Sequence, residues 1–251
     1  MKKLLLIILV LFASTAFANK PVKITADSWI VADADGNIIE GKNIETIRAI
    51  ASITKLVTAM VVLDANQSLS QIVPLRKFKK SKLTRQQLID LALVHSDNQA
   101  ADALCKNYPQ GYQSCIRAMN NKVRSLGMNS TYFEDSTGLS HSNVSTAEDL
   151  IKLVKASHQY PEILAAAHQD AVHISTQTKR KKTRTQTFVN TNPLVRLGHP
   201  VIVSKTGFNN ASGGCLVMQL RTAIGERIVI VLGSKNTRTR FPEAELLIAS
   251  R

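Results

Sequence analysis

Cys215-Leu216-Val217-Met218-Gln219-Leu220 and Arg227-Ile228-Val229-Ile230-Val231-Leu232 decide the fold. Both are apolar runs of strand length, and the short Thr222-Ala223-Ile224-Gly225 segment between them predicts an antiparallel pair. A third run, Val201-Ile202-Val203-Ser204, precedes them. Near the other end of the chain, Ser28-Trp29-Ile30-Val31-Ala32 leads into the hairpin signal Asp35-Gly36-Asn37, and Ile38-Ile39 begins a return strand. The stretch between these ends reads as helical. Ser52 to Leu63 places Ile53, Leu56, Val57, Met60 and Val61 at helical spacing, and Thr84-Arg85-Gln86-Gln87 is a capping box opening a stripe through Leu88, Leu91 and Val94. A further helix is predicted from Gln113 to Leu126, ended by Gly127, and Ser145-Thr146-Ala147-Glu148 reads as a second capping box. Phe241 to Ser250 reads as a closing helix. Strands at both ends with helices between predict an α+β domain whose terminal segments share one antiparallel sheet.

The 251 residues are 44% hydrophobic and 20% charged, which excludes a globally disordered chain and leaves ample material for a core. Lys and Arg outnumber Asp and Glu by 32 to 18, a formal charge of +14 that favours anionic partners without specifying a fold. Two basic clusters, Arg76–Lys82 and Lys179–Arg184, read either as solvated loops or as docking patches for an anionic polymer.

Residues 1–18 have the layout of a secretory signal. Lys2 and Lys3 precede the apolar run Leu4 to Phe12, which is short for a bilayer span, and Ala16-Phe17-Ala18 has the A-x-A form of a cleavage site. The expectation is an exported, periplasmic protein with residues 19–251 as one catalytic domain and no transmembrane anchor after cleavage. Export argues against nucleic acid as partner and permits disulfides. Cys105 and Cys115 flank a Tyr108-Pro109-Gln110-Gly111 turn signal and can close a small loop; Cys215 sits in an apolar run and reads as a buried free thiol. Three cysteines allow three pairings, and spacing does not choose among them. No C-x-x-C or H-E-x-x-H pattern occurs, so neither a metal nor another cofactor is expected.

Three short motifs carry the candidate chemistry. Ser52-Ile53-Thr54-Lys55 places a hydroxyl and an amine on one helical face, at a helix start where free N–H groups favour a developing oxyanion. A neutral lysine there can take the proton of a serine nucleophile. Ser96-Asp97-Asn98 follows the predicted helix end at His95 and offers a proton-relaying hydroxyl and an amide for a substrate backbone. Lys205-Thr206-Gly207 follows the strand Val201–Val203 and offers a cation, a hydroxyl and an unobstructed backbone to a carboxylate-bearing ligand. Taken singly, each also reads as an ordinary helix start, capping loop or turn.

In this order the three motifs resemble the Ser-x-x-Lys, Ser-x-Asn and Lys-Thr-Gly set of penicillin-binding proteins and class A β-lactamases. Met119-Asn120, Leu126-Gly127-Met128, Thr131-x-Phe133, Thr137-Gly138-Leu139, Asn143-x-Ser145-Thr146-Ala147 and Asn190-Thr191-Asn192 extend the resemblance to the low-molecular-mass D-alanyl-D-alanine carboxypeptidase and endopeptidase family. The resemblance implies a β-lactamase-like fold and an acyl-enzyme formed on Ser52, with Lys55 as base and Ser96 assisting proton transfer. It implies that Asn98 binds the acyl-donor backbone, and that Lys205 and Thr206 hold a carboxylate. The implied oxyanion hole is the N–H of Ser52 with that of Phe208, the residue after Gly207. The implied partners are peptidoglycan stem peptides and cross-links, with β-lactams as covalent inhibitors.

The segment after the second motif lacks the Glu-x-x-Leu-Asn pattern in which class A β-lactamases carry a deacylating glutamate. Typical carboxypeptidases of the family continue into a β-rich domain and an amphipathic helix, whereas this chain ends one predicted strand pair and one helix past Gly207. That plan resembles the single-domain endopeptidases. A carboxypeptidase and a non-catalytic wall-binding or β-lactam-sensing protein are the alternatives.

Overall fold

The computed structural model describes residues 23–75, 83–177 and 183–249. The chain opens with β1 (Ser28–Asp33), β2 (Ile38–Lys42) and β3 (Arg48–Ala49), followed by a 3₁₀ turn at Ala51–Ile53 and α1 (Thr54–Asp64). Next come β4 (Ile72–Val73), β5 (Leu83–Thr84), α2 (Arg85–Val94), α3 (Asn98–Lys106) and α4 (Tyr112–Ser125). Then follow β6 (Val144–Ser145), α5 (Ala147–Ser157), α6 (Pro161–Ala167), β7 (Ala171–Gln177) and β8 (Thr183–Val189). The chain closes with α7 (Pro193–Arg196), β9 (Val201–Asn209), β10 (Gly213–Thr222), β11 (Gly225–Ser234) and α8 (Arg240–Ala249).

The predicted α+β sheet forms from both ends of the chain, in the order β2-β1-β11-β10-β9. β1 pairs antiparallel with β11, setting Ile30 against Ile230, and β10 pairs antiparallel with both β11 and β9. The apolar runs of these strands are continuous because both faces of the sheet are covered. Ile30, Val203, Val217, Ile228 and Ile230 point into the large core built by the central helices. Their alternating neighbours Trp29, Val31, Met218, Val229 and Val231 pack against Ala244 and Leu247 of α8.

Three local expectations are corrected. The strand beginning at Val201 does not end at Ser204; it runs to Asn209, so Lys205-Thr206-Gly207 lies within β9, with Lys205 opposite Val217 and Gly207 opposite Cys215. The first predicted helix is split, with Ser52 in the 3₁₀ turn and α1 beginning at Thr54. The capping box expected at Ser145–Glu148 is displaced by one residue: the Thr146 side chain accepts from Asp149 N (3.0 Å). Ser145 is drawn inward, where its hydroxyl and that of Thr131 lie 2.7 Å apart. Glu148 therefore plays no part in the cap. Thr146→Ala is expected to lower stability by about 1 kcal/mol while Glu148→Gln leaves it within a few tenths, a contrast that urea titration resolves.

The capping box at Thr84 forms as predicted, with Thr84 and Gln87 bonding reciprocally. The predicted helix of residues 113–126 is α4, and Gly127 follows it in the left-handed region (φ 70°). Cys105 at the end of α3 and Cys115 in α4 form a disulfide, with Cα atoms 5.4 Å apart; Cys215 is free and buried. Residues 1–22 and the cluster 76–82 lie outside the described residues, as do 179–182 of the second cluster, whose Thr183 and Arg184 open β8. The β7–β8 hairpin itself carried no clear strand signal in the sequence.

Candidate active site

Five pieces of chain meet around Ser52. The first is the 3₁₀ turn that carries it. Ala51 is in the left-handed region (φ 45°), an unfavourable conformation for a residue with a Cβ, and Thr54 Oγ1 donates back to Ala51 O (2.7 Å). The strain persists because the turn is enclosed. A Cβ on Gly207 would stand 2.7 Å from Ile50 O and 3.1 Å from Ser52 N. One on Gly138 would stand 1.9 Å from Ala51 O and 2.8 Å from Ser52 N. Two glycines thus press the Ala51–Ser52 peptide from β9 and from the loop that follows α4.

Lys55, one turn further along, is fully buried. Its Nζ lies 2.7 Å from Ser52 Oγ, 2.7 Å from Asn98 Oδ1 and 2.6 Å from Thr137 O. Burial pushes its pKa down from 10.5 to about 7, against the opposing pull of Asp135 and Asp97. A neutral amine has two N–H donors and one lone pair. In that neutral form Asn98 Oδ1 and Thr137 O, which can only accept, would take the two N–H groups and leave the lone pair for the serine hydroxyl.

The second motif sits between α2 and α3. Asp97 caps α3, its side chain accepting from Ala100 N (2.9 Å), which presents Asn98 in the first turn beside Lys55. Ser96 is left-handed (φ 59°). Its Oγ accepts from Lys205 Nζ (2.9 Å), so the hydroxyl is tied to the third motif. Lys205 is buried and its pKa is driven well below 10.5 by that burial, then by Lys55 and Arg240. Thr206 Oγ1 is 2.7 Å from the hydroxyl of Thr191. Gly207 O accepts from Arg240 (2.6 Å). Across that trans peptide the Phe208 N–H points the opposite way, away from Arg240. The Arg240 pKa falls to about 10 through burial, with Cys215 pulling the other way.

The motifs alone did not disclose the fifth piece, the turn from Phe133 to Asn143. Asp135 accepts from Thr137 N, Gly138 N and Ser140 N (2.5, 2.7 and 2.5 Å). Burial raises its pKa, but these backbone donors outweigh it and hold the carboxyl below its usual 3.8. The turn so formed aims Thr137 O at Lys55 and sets Gly138 against the serine. Asn143, fully buried, accepts from Glu134 N and Asp135 N and donates to Thr54 Oγ1 and Asp135 O, joining turn to helix. The signal for this turn is an Asp two residues before Thr137-Gly138, an Asx-turn pattern; Arg240 had no local signal.

The structure brings Ser52, Lys55 and Asn98 into direct contact, sets Gly207 against the serine turn and bonds Lys205 to Ser96, with Thr206 and Phe208 flanking Gly207 in β9. The arrangement suits transfer of an acyl group to a hydroxyl, with cations placed for an anionic substrate end.

The D-alanyl-D-alanine carboxypeptidase family of peptidases, S11, matches residues 15–74 and 66–236. The D-alanyl-D-alanine endopeptidase of Escherichia coli (strain K12) is 40% identical, covering 94% of this chain and 79% of that protein. The corresponding endopeptidase of Pseudomonas aeruginosa is 37% identical over 90% of this chain and 76% of its own length. Among solved structures, the Streptomyces K15 DD-transpeptidase superposes with a TM-score of 0.83 at 27% identity, over 92% of this chain and 98% of that one. Penicillin-binding protein D2 of Listeria monocytogenes in its ampicillin-bound form superposes at 0.78 with 25% identity and the same coverage. On sequence and on fold alike, this chain belongs to the S11 family of serine D-alanyl-D-alanine peptidases.

Proposed function

We propose that the protein hydrolyses D-alanyl cross-links between peptidoglycan stem peptides, through an acyl-enzyme on Ser52. The observation that carries this reading is the buried Lys55 amine, whose Nζ lies 2.7 Å from Ser52 Oγ and whose pKa burial lowers to about 7. In this mechanism Lys55 takes the serine proton as Oγ attacks the D-alanyl carbonyl carbon. The resulting oxyanion accepts from the N–H groups of Ser52 and Phe208. Collapse breaks the C–N bond, and the departing amine takes a proton from Lys55 by way of Ser96. Water then attacks the ester with Lys55 again as base, releasing the acid and restoring Ser52. Asn98 orients the acyl-donor backbone, while Lys205 and Thr206 hold the carboxylate on the leaving side. An incoming carboxylate raises the pKa of Lys205 and keeps it charged.

Cross-link cleavage is favoured over carboxypeptidase activity because relatives named endopeptidases are 40% and 37% identical, whereas the carboxypeptidases DacF of Bacillus subtilis and DacC of Escherichia coli are 25% and 29% identical. Export to the periplasm, with 1–18 removed and 19–251 acting as one catalytic domain, completes the proposal. Among the described residues no helix is long and apolar enough to cross a membrane.

The test combines benzylpenicillin with purified cross-linked muropeptide dimers. The expected results are a penicilloyl adduct on the peptide containing Ser52, released slowly for want of a deacylating glutamate, and conversion of dimers to monomers. Release of terminal D-alanine from monomers with dimers untouched would assign a carboxypeptidase instead. Folded protein with neither adduct nor product would make it a binding protein.

A further inference from the structure

A second polar groove lies on α4, lined by none of the residues assigned above. Gln113, Arg117, Asn121 and Arg124 recur at three- and four-residue spacing on one exposed helical face, with Ile116 and Asn120 buried beneath them. Tyr132 forms the other wall, and the space between is about 540 Å³. The groove is rigid. Asn120 bonds both backbone groups of Phe133 (2.9 and 2.8 Å), and Tyr132 exchanges both of its backbone groups with Val144 at 3.0 Å. Tyr132 is nonetheless 53% exposed. Its lining holds two guanidiniums and no carboxylate. Arg124 bonds Asn121, whereas Arg117 has no ion-pair partner among the described residues. Glu134, two residues past Tyr132, is engaged by Ser140.

Guanidiniums, side-chain amides and an exposed ring fixed on a rigid backbone suit a ligand with carboxylates, hydroxyl or acetamido groups, and flat apolar sugar faces. The groove has little apolar surface for lipid chains. It also shares a support with the catalytic cleft: Tyr112, next to Gln113, accepts from Ser136 N (3.3 Å) in the turn that supplies Thr137 O to Lys55.

We infer that the groove between α4 and Tyr132 is a secondary site for a carboxylate-bearing glycopeptide polymer, gripping the substrate away from the bond that is cut. This rests on the peptidoglycan reading above. The test compares wild type, Arg117→Glu/Arg124→Glu and Tyr132→Ala on three substrates: benzylpenicillin, a glycan-free cross-linked stem dimer, and intact sacculi. Penicillin acylation and dimer cleavage are expected to stay unchanged. Sacculus binding and cleavage should fall about five- to tenfold in the charge-reversed variant at low salt, a gap that narrows as salt rises. Unchanged sacculus cleavage, or a parallel fall on the glycan-free dimer, overturns the site. Charge-dependent binding of DNA or phosphatidylglycerol vesicles in preference to sacculi overturns the assigned ligand. A wild type inert to penicillin would defeat the catalytic reading, while sacculus pelleting would still report on the groove.

Discussion

Lys55→Arg is expected to slow acylation by benzylpenicillin about 10³-fold, in keeping with the loss of a general base. Arginine keeps a cation in the pocket but cannot shed its proton near neutral pH, and its planar fork does not fit the three contacts at 2.6–2.7 Å that Nζ makes. The wild-type rate should rise with pH through about 7 and then level, because in the proposed mechanism the neutral amine accepts the serine proton. The variant should show no such rise. A rate in Lys55→Arg within tenfold of wild type, or a wild-type profile flat from pH 5 to 8, would sink the assignment.

The same buried amine bears on stability, and the sign can be worked out. Lys55 has a folded pKa of about 7 against 10.5 for an ordinary lysine. Between those values the unfolded chain holds a proton that the native protein has released, so stability rises with pH across that window. Below it both states are protonated and the full cost is present, on the order of 5 kcal/mol. Lys55→Met removes the titration. Urea unfolding at pH 7 and pH 9 should show wild type gaining roughly 2–3 kcal/mol relative to the variant as pH rises. A constant difference between the two proteins would mean that Lys55 titrates normally.

Sequence reading reached the site through three short motifs in a fixed order and the family they resemble, since each motif alone also reads as ordinary structure. Ser52 and Lys55 are three apart in sequence, across the 3₁₀ turn and the start of α1, and the sheet follows from apolar runs at the two ends. It erred where tertiary contacts override local pattern. The apolar run from Val201 predicts a strand ending at Ser204, just before Lys205-Thr206-Gly207, yet pairing with β10 carries it on to Asn209. Ser145 looked like a cap until Thr131 drew its hydroxyl inward. The Asp135 turn escaped notice because its function lies in a backbone carbonyl, Thr137 O, which no side chain announces. The packing of Gly138 and Gly207 against the serine turn was equally hidden, since it shows only when a neighbour occupies the place of the absent Cβ.

Among the glycines, Gly138 leaves the least room for a Cβ. Gly138→Ala places a Cβ 1.9 Å from Ala51 O, 2.2 Å from Ala51 C and 2.8 Å from Ser52 N, all backbone atoms with no side-chain rotation to relieve them. Gly138 also has φ 83°, which adds about 1–2 kcal/mol for a residue with a Cβ. Either the Asp135 turn withdraws, removing Thr137 O from Lys55, or the 3₁₀ turn shifts, moving the Ser52 N–H out of the proposed oxyanion position. Loss of one oxyanion donor alone slows acyl transfer about 10²–10³-fold, so penicillin acylation should drop at least that far. Gly127→Ala is the matched control. Its φ is 70°, but nothing lies within 4 Å of the added carbon, so it should lose about 1 kcal/mol of stability and keep its acylation rate. Equal acylation rates in Gly138→Ala and Gly127→Ala would show that backbone conformation, rather than contact with the serine turn, is all that glycine supplies at 138.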